Sequence, residues 1–211
     1  MSSRLPAHER REQLLDRALE LFAAKGYARA TTSQLAKAAG VTEPIIYRHF
    51  KSKKELFVAL IERTGQETLE QWSRELEPVT DPAERLKKLI GENPMVSPRG
   101  RATYRVFLQA ITEVDDPEIK AAIQNHIGSL RLFLQREISR AQEEHKVFTR
   151  FSAELIAKLL CHLGMGYGTL TAMEIPEHGN DASGRHVQEL IGLVLVGRRA
   201  EGEGKGEAPK Q

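Results

Sequence analysis

Ala30-Thr31-Thr32-Ser33-Gln34-Leu35-Ala36-Lys37-Ala38-Ala39-Gly40-Val41-Thr42-Glu43-Pro44-Ile45-Ile46-Tyr47-Arg48-His49-Phe50 is the stretch that decides the fold. Leu35, Ala36 and Ala39 repeat at helical spacing, and Thr31-x-x-Gln34 has the form of a capping box that opens their helix. Gly40 ends it, since a residue without a Cβ tolerates the sharp turn that must follow. Val41 is placed to plug the space between two helices, and Thr42 to cap the next one, Glu43 to Phe50. Pro44 is tolerated there because first-turn N–H groups have no intrahelical acceptor. Ile46 and Phe50, four apart, share one face of that helix. Two short helices joined by such a turn follow the helix-turn-helix plan.

Outward from this centre the chain reads as all-α, with about nine helices. Upstream, a helix from Ala7 to Lys25 carries the apolar stripe Leu14, Ala18, Leu21 and Phe22, with Pro6 at its entry. Gly26 is expected as its left-handed cap, with Tyr27 folding back as the apolar partner. Downstream, Ser52-Lys53-Lys54-Glu55 forms a second capping box and opens a helix that continues to about Glu77. Pro78 and Asp81-Pro82 break the chain, and further helices are expected near 82–93, 99–114, 117–146, 152–174 and 184–199. Residues 176–184 read as a loop, and the low-complexity stretch 201–211 as a disordered tail.

The 211 residues carry a net charge of +2 that hides an asymmetry. Residues 1–63 hold twelve Lys/Arg against seven Asp/Glu, and residues 64–211 hold nineteen against twenty-two. A basic head on a mildly acidic body suits a protein that offers one end to a polyanion. No apolar run is long enough to span a membrane, and Met1 to Pro6 lacks the apolar core of a signal peptide, so a cytoplasmic protein is expected. Cys161 is the single cysteine, which excludes an intrachain disulfide and a multi-cysteine zinc site.

The run from Ala30 to Thr42 resembles the second helix and turn of the TetR family of repressors. Ile46-Tyr47-Arg48-His49-Phe50-Lys51-Ser52-Lys53-Lys54-Glu55-Leu56 resembles that family's recognition helix and the start of its fourth helix. The likeness covers roughly residues 10–60; beyond them only helix number and order agree. It implies a DNA-binding domain over 1–52, a ligand-binding and dimerisation domain over 53–200, and a tail from 201 to 211. B-DNA's major groove is wide enough to admit the exposed helix.

By this resemblance Thr31, Thr32, Thr42, Glu43, Pro44, Ile45, Tyr47, Arg48, His49 and Lys53 are the DNA-binding candidates. Tyr47 and His49 would meet phosphates or base edges, and Pro44 and Ile45 would pack on thymine methyls. Lys53 resembles a phosphate-binding lysine, and Thr31 and Thr32 offer hydroxyls at a helix N-terminus. Glu43 either accepts from a cytosine amino group or only favours the helix dipole. Ile45 departs from the small or polar residue more usual at its position.

One short helix reads few base pairs, so a homodimer on a palindromic double-stranded operator is expected. The segments near 152–174 and 184–199, rich in Leu155, Ile156, Leu159, Leu163, Leu190, Ile191 and Val194, resemble the family's dimerising pair; alternatively they serve only the intrachain core. The resemblance also implies a pocket for an unidentified small-molecule effector, with Trp72, Tyr104, Phe107, Leu108, Ile111, Phe133, Met165 and Tyr167 as candidates. Arg101, Arg105 and His126 either orient an anion or are solvated. No cofactor and no metal is expected. Gly164-Met165-Gly166-Tyr167-Gly168 lacks the strand and the Lys-Ser/Thr of a phosphate loop, and close helix approach explains it better.

The reading is therefore a ligand-responsive repressor. Its alternative is a constitutive or protein-regulated DNA-binding factor without a small-molecule ligand. Catalysis is disfavoured: the seven histidines have no His-Glu-x-x-His spacing, and adjacent Cys161-His162 point away from one another on a helix.

Overall fold

The computed structural model describes residues 5–91 and 98–175, and among them every regular element is helical. Eight helices follow in order: α1 (Ala7–Lys25), α2 (Thr32–Ala39), α3 (Glu43–His49), α4 (Lys53–Leu76), α5 (Pro82–Gly91), α6 (Pro98–Ile111), α7 (Pro117–Glu143) and α8 (Ala153–Ala172). The helix expected near 184–199, the loop at 176–184 and the tail at 201–211 lie outside the described residues. The helix expected to reach 114 stops at Ile111, where Thr112 and Glu113 donate backwards to Gln109 and Ala110 in tight turns. The one expected over 117–146 ends at Glu143.

Two apolar clusters hold the helices. The first joins α1, α2, α3 and the N-terminal half of α4 to α6 and the start of α7. At its centre Tyr27 stacks on Phe57, ring centroids 4.1 Å apart, while Phe22 meets both edge-on. The second joins Leu76 at the end of α4 to α5, the C-terminal half of α7 and the start of α8. The first cluster runs without a break from Leu14 of α1 to Ile123 of α7, so the head shares its core with the body.

Polar groups fasten the same joints. Arg63 of α4 reaches back to Glu12 and Asp16 of α1 at 3.2 and 3.1 Å. Arg85 of α5 forks onto the carboxylate of Glu137 in α7 and donates to the carbonyls of Leu76 and Val79. The guanidinium thereby closes the α4–α5 turn while its charge is matched. Gln109 of α6 accepts from the Tyr27 N–H at 2.7 Å and donates to the Phe22 carbonyl at 2.9 Å, completing the open end of α1.

Gly26 differs from the expected cap. Its φ is +87°, but its ψ of 144° is extended, so it redirects the chain instead of coiling it left-handed. Gly40 does adopt the left-handed conformation, at φ 64° and ψ 34°. In the glycine run of α8, close approach holds at one position. A Cβ on Gly168 would fall 2.3 Å from the ring of Tyr104, whereas the same atom on Gly164 or Gly166 meets nothing within 4 Å.

Gly168→Ala is therefore expected to destabilise the fold by about 1–3 kcal/mol, since neither ring nor helix can yield cheaply. Gly128→Ala on α7, where a methyl meets open space, should stabilise by up to about 1 kcal/mol. Urea unfolding of the two variants checks the opposite signs.

Candidate nucleic-acid interface

α3 has seven residues, too few to persist as an isolated helix. Burial on one side fixes it: Ile46 and Phe50 are each 1% exposed in the first core. The opposite side is thereby aimed at solvent. Tyr47 is half exposed, Pro44 and Arg48 are exposed, and Glu43, Ile45 and His49 are partly so. Val41 is partly buried against the same core, and its N–H donates to the Ala36 carbonyl at 3.0 Å across the turn.

Caps set where the two helices begin. Thr31 makes the complete box: its hydroxyl accepts from Gln34 N–H, and the Gln34 side chain accepts from Thr31 N–H. Thr42 occupies the cap position of α3 without the expected side-chain bond. The reason is local. Pro44 has no N–H to give, and the N–H of Ile45 is taken by the Thr42 carbonyl at 3.0 Å. Ser52 caps α4 through Glu55 N–H, but the Glu55 carboxylate reaches one residue further back than a box requires, to Lys51 N–H.

Thr32, Glu43 and Tyr47 meet at the junction of α2 and α3. The Thr32 hydroxyl donates to Glu43 Oε2 at 3.0 Å and lies 3.2 Å from the Tyr47 hydroxyl. Beside them the surface is strongly positive. Burial, and then the charges of Arg48, Arg10 and Arg11, hold the His49 imidazole below its ordinary range. The Arg11 guanidinium also lies 5.0 Å over the Phe50 ring. Arg10 and Arg11 were not among the expected contacts. Their only sequence signal is a basic pair on the first helix, and nothing local shows that the helix passes beside α3.

Lys53, the expected phosphate contact, has intrachain partners here. Its ammonium donates to the carbonyls of Tyr27, Ala28 and Ala30 and sits 4.4 Å over the Tyr27 ring. An ammonium has three protons, and here each has a carbonyl acceptor. The side chain ties α4 to the α1–α2 turn.

The helix-turn-helix geometry agrees with independent comparison. Residues 14–60 match the family model of bacterial regulatory proteins, tetR family. Residues 14–60, which carry α2, α3 and the start of α4, are thus similar to the N-terminal part of tetR-family regulators. The transcriptional activator FasR of Mycolicibacterium smegmatis is 34% identical over 129 residues, 53% of this chain and 59% of FasR. The chain thus spans under two thirds of that relative's length. A transcriptional regulator of Saccharomonospora viridis, solved in complex with choline, superposes with TM-score 0.80 at 25% identity, covering 90% of this chain and 100% of that one. FadR of Bacillus subtilis, solved with stearoyl-CoA, shares the fold at TM-score 0.67 and 18% identity, covering 87% and 98%.

In the helices beyond the head the expected effector residues fall into separate places. Trp72 and Phe133 pair at 5.6 Å beside the second core, and the Trp72 indole N–H is buried without an acceptor among the described residues. Tyr104, Phe107 and His126 form a chain of rings, centroids 6.1 and 5.2 Å apart, and the Tyr104 hydroxyl donates to the Gly164 carbonyl. Met165 packs against the first core, and Leu108 and Tyr167 are half-buried. Ile111 is 46% exposed at the end of α6, on the side away from buried Ala110, and leaves the set.

The anion-orienting expectation fails at two of its three residues. Arg105 donates to the Ala172 carbonyl and to Glu174, closing the end of α8. His126 is buried, and desolvation lowers its pKa to about 4, so at neutral pH it carries no charge for an anion. Among the described residues no cluster of His, Cys, Asp and Glu is arranged to hold a metal, and no helix is long and apolar enough to cross a membrane.

The state of His126 sets a sign for acid stability. The unfolded chain takes up its proton near 6.5 and the folded chain only near 4. Stability should be full above the ordinary histidine range and fall as pH drops from about 6.5 towards 4, by up to roughly 3 kcal/mol. Unfolding free energies between pH 7.5 and 4.5 measure that slope, and His126→Leu should flatten it whatever its effect at neutral pH.

Proposed function

We propose that this chain is a dimeric, effector-responsive repressor that binds a palindromic operator through α3 and is released by a small molecule. The observation that carries the reading is the division of α3. Two buried side chains lock the helix, and Pro44, Ile45, Tyr47, Arg48 and His49 stand on the other side, flanked by Arg10, Arg11 and exposed Lys51. A helix N-terminus on α2, with exposed Thr31 beside it, lies alongside to meet phosphate. Lys53 acts in this proposal by fixing the turn before that N-terminus.

Dimerisation is supported by α8. Leu155, Leu159 and Leu163, one turn apart in succession, are 53%, 50% and 43% exposed, an apolar stripe with no partner among the described residues. Pairing α8 with its copy would bury it and set two heads about 34 Å apart, one turn of duplex. Repression then follows from geometry, by occupancy of an operator that overlaps a promoter.

An effector site between α4, α6, α7 and α8 is supported by buried polar atoms without a partner among the described residues. Trp72 Nε1, His126 Nδ1 and Thr171 Oγ1 are of this kind. The choline complex of the S. viridis regulator and the stearoyl-CoA complex of B. subtilis FadR place small molecules with proteins of this fold. Release requires an effector that prefers a conformation with misspaced heads; tight binding alone does nothing.

Fluorescence anisotropy on a palindromic duplex selected from a random pool tests the reading. Binding should weaken steeply with salt, and Tyr47→Ala should lose about tenfold or more at constant salt. Indifference to duplex sequence at low ionic strength overturns it. Leu159→Glu should convert a sedimenting dimer into monomer and reduce operator binding with it; an unchanged dimer removes α8 from the interface.

A further inference from the structure

The contact among Thr32, Glu43 and Tyr47 fixes which of their atoms hold protons. Thr32 has one hydroxyl hydrogen, and it is directed to Glu43 Oε2, 3.0 Å away. A carboxylate only accepts, so nothing is returned along that bond. The 3.2 Å contact between the Thr32 and Tyr47 hydroxyls therefore has Tyr47 as donor. Protons run in one direction, from Tyr47 to Thr32 to Glu43. The exposed end of Tyr47 is left with acceptor lone pairs, and the second oxygen of Glu43 is an acceptor as well.

We infer that Tyr47 and Glu43 present hydrogen-bond acceptors to DNA at the α2–α3 junction and read the exocyclic amino group of a cytosine or adenine, with Thr32 as the residue that sets this polarity. The inference rests on α3 lying in the major groove. Two alternatives are excluded by the same chemistry. Phosphate oxygens accept and are negative, so the Glu43 carboxylate, and the Tyr47 oxygen while its proton is held by Thr32, gain nothing by meeting them. The O6 and N7 of guanine and the O4 of thymine are acceptors too, and would face acceptors. Cytosine N4 and adenine N6 are the donors that the groove offers.

Thr32 is a positioning residue: it need not touch a base to govern the choice. Without its hydroxyl, the Tyr47 proton is released and that side chain becomes a donor as well as an acceptor. Glu43 at the same time loses the bond that holds its carboxylate against the start of α2. Discrimination should fall while general affinity for duplex persists, because Arg48, Arg10, Arg11 and Lys51 are untouched.

The test selects duplexes from a randomised pool with the full-length chain and with Thr32→Val, Thr32→Ser and Glu43→Gln, at one salt concentration. The original chain should fix an amino base, C or A, on one strand at one position of each half-site. Thr32→Val should lower that preference about tenfold, with random-duplex affinity kept within about twofold. Thr32→Ser, which restores the hydroxyl, should restore the preference and shows that folding is not at issue. Glu43→Gln, whose carboxamide donates as well as accepts, should admit keto bases at the same position. Unchanged selection by Thr32→Val, or a keto base at the position that responds to Glu43→Gln, overturns the inference and leaves α3 in the groove. If the original chain selects no sequence at all, the groove reading falls and takes the inference with it.

Discussion

The burial of Ile46 and Phe50 is the contact on which the remainder depends. A seven-residue helix gains too few backbone bonds to offset its own ordering, so its geometry is borrowed from the surface on which it sits. That surface is made by α1, α2 and α4, with Phe22, Tyr27 and Phe57 locked edge-to-face and stacked beneath. Close packing makes the seat discrete: a helix keyed by two side chains four residues apart has one rotation about its axis. The same contact that stabilises the head thus decides which atoms face outward. Tyr47 is half exposed because Ile46 is not.

The head is in turn seated on the body by interactions of moderate size. Gln109 contributes two hydrogen bonds to the end of α1, each worth about 0.5–1.5 kcal/mol net. Lys54 at the start of α4 pairs with Asp116 and Glu118 beyond α6, in solvent, where it adds orientation more than energy. The apolar cluster joins the same pieces. A movement of α6 against α1 must part the Gln109 bonds first, at a cost of about 1–3 kcal/mol, the usual size of an allosteric coupling. A ligand with a hundredfold preference for one arrangement supplies about 2.7 kcal/mol. Under the proposed function, a junction of this strength would hold the heads in place and remain within reach of a small effector.

Much of this was legible in the residues, and the failures have a common cause. Helical periodicity and caps placed α1 and α4 closely, since Pro6, Gly26, Ser52 and Pro78 act on their immediate neighbours. The buried pair on α3 follows from spacing alone. What escaped depends on residues far apart in sequence. Lys53 finds the carbonyls of residues 27–30, and Gln109 finds Phe22 and Tyr27, more than eighty residues away. Arg105 and Arg10 resemble solvated cations until the helices beside them are known. Thr42 is different: the cap was misjudged although the cause, Pro44 two residues on, stands in the same motif.

Head and body also differ in how completely their polar groups are used. In the head, Thr31, Thr32, Ser52, Lys53 and Glu55 each have named partners, which fix the caps and turns that carry α3. In the body, Trp72 Nε1, His126 Nδ1 and Thr171 Oγ1 are buried without partners among the described residues, and each group left so costs about 1–3 kcal/mol. Substituting apolar side chains would remove that penalty, so the polarity is not explained by stability. Preorganisation at one end favours selective docking, because little is left to order on binding. Unmet polarity at the other end would give the proposed effector, if it brings matching groups, more to gain than the apolar surface alone provides.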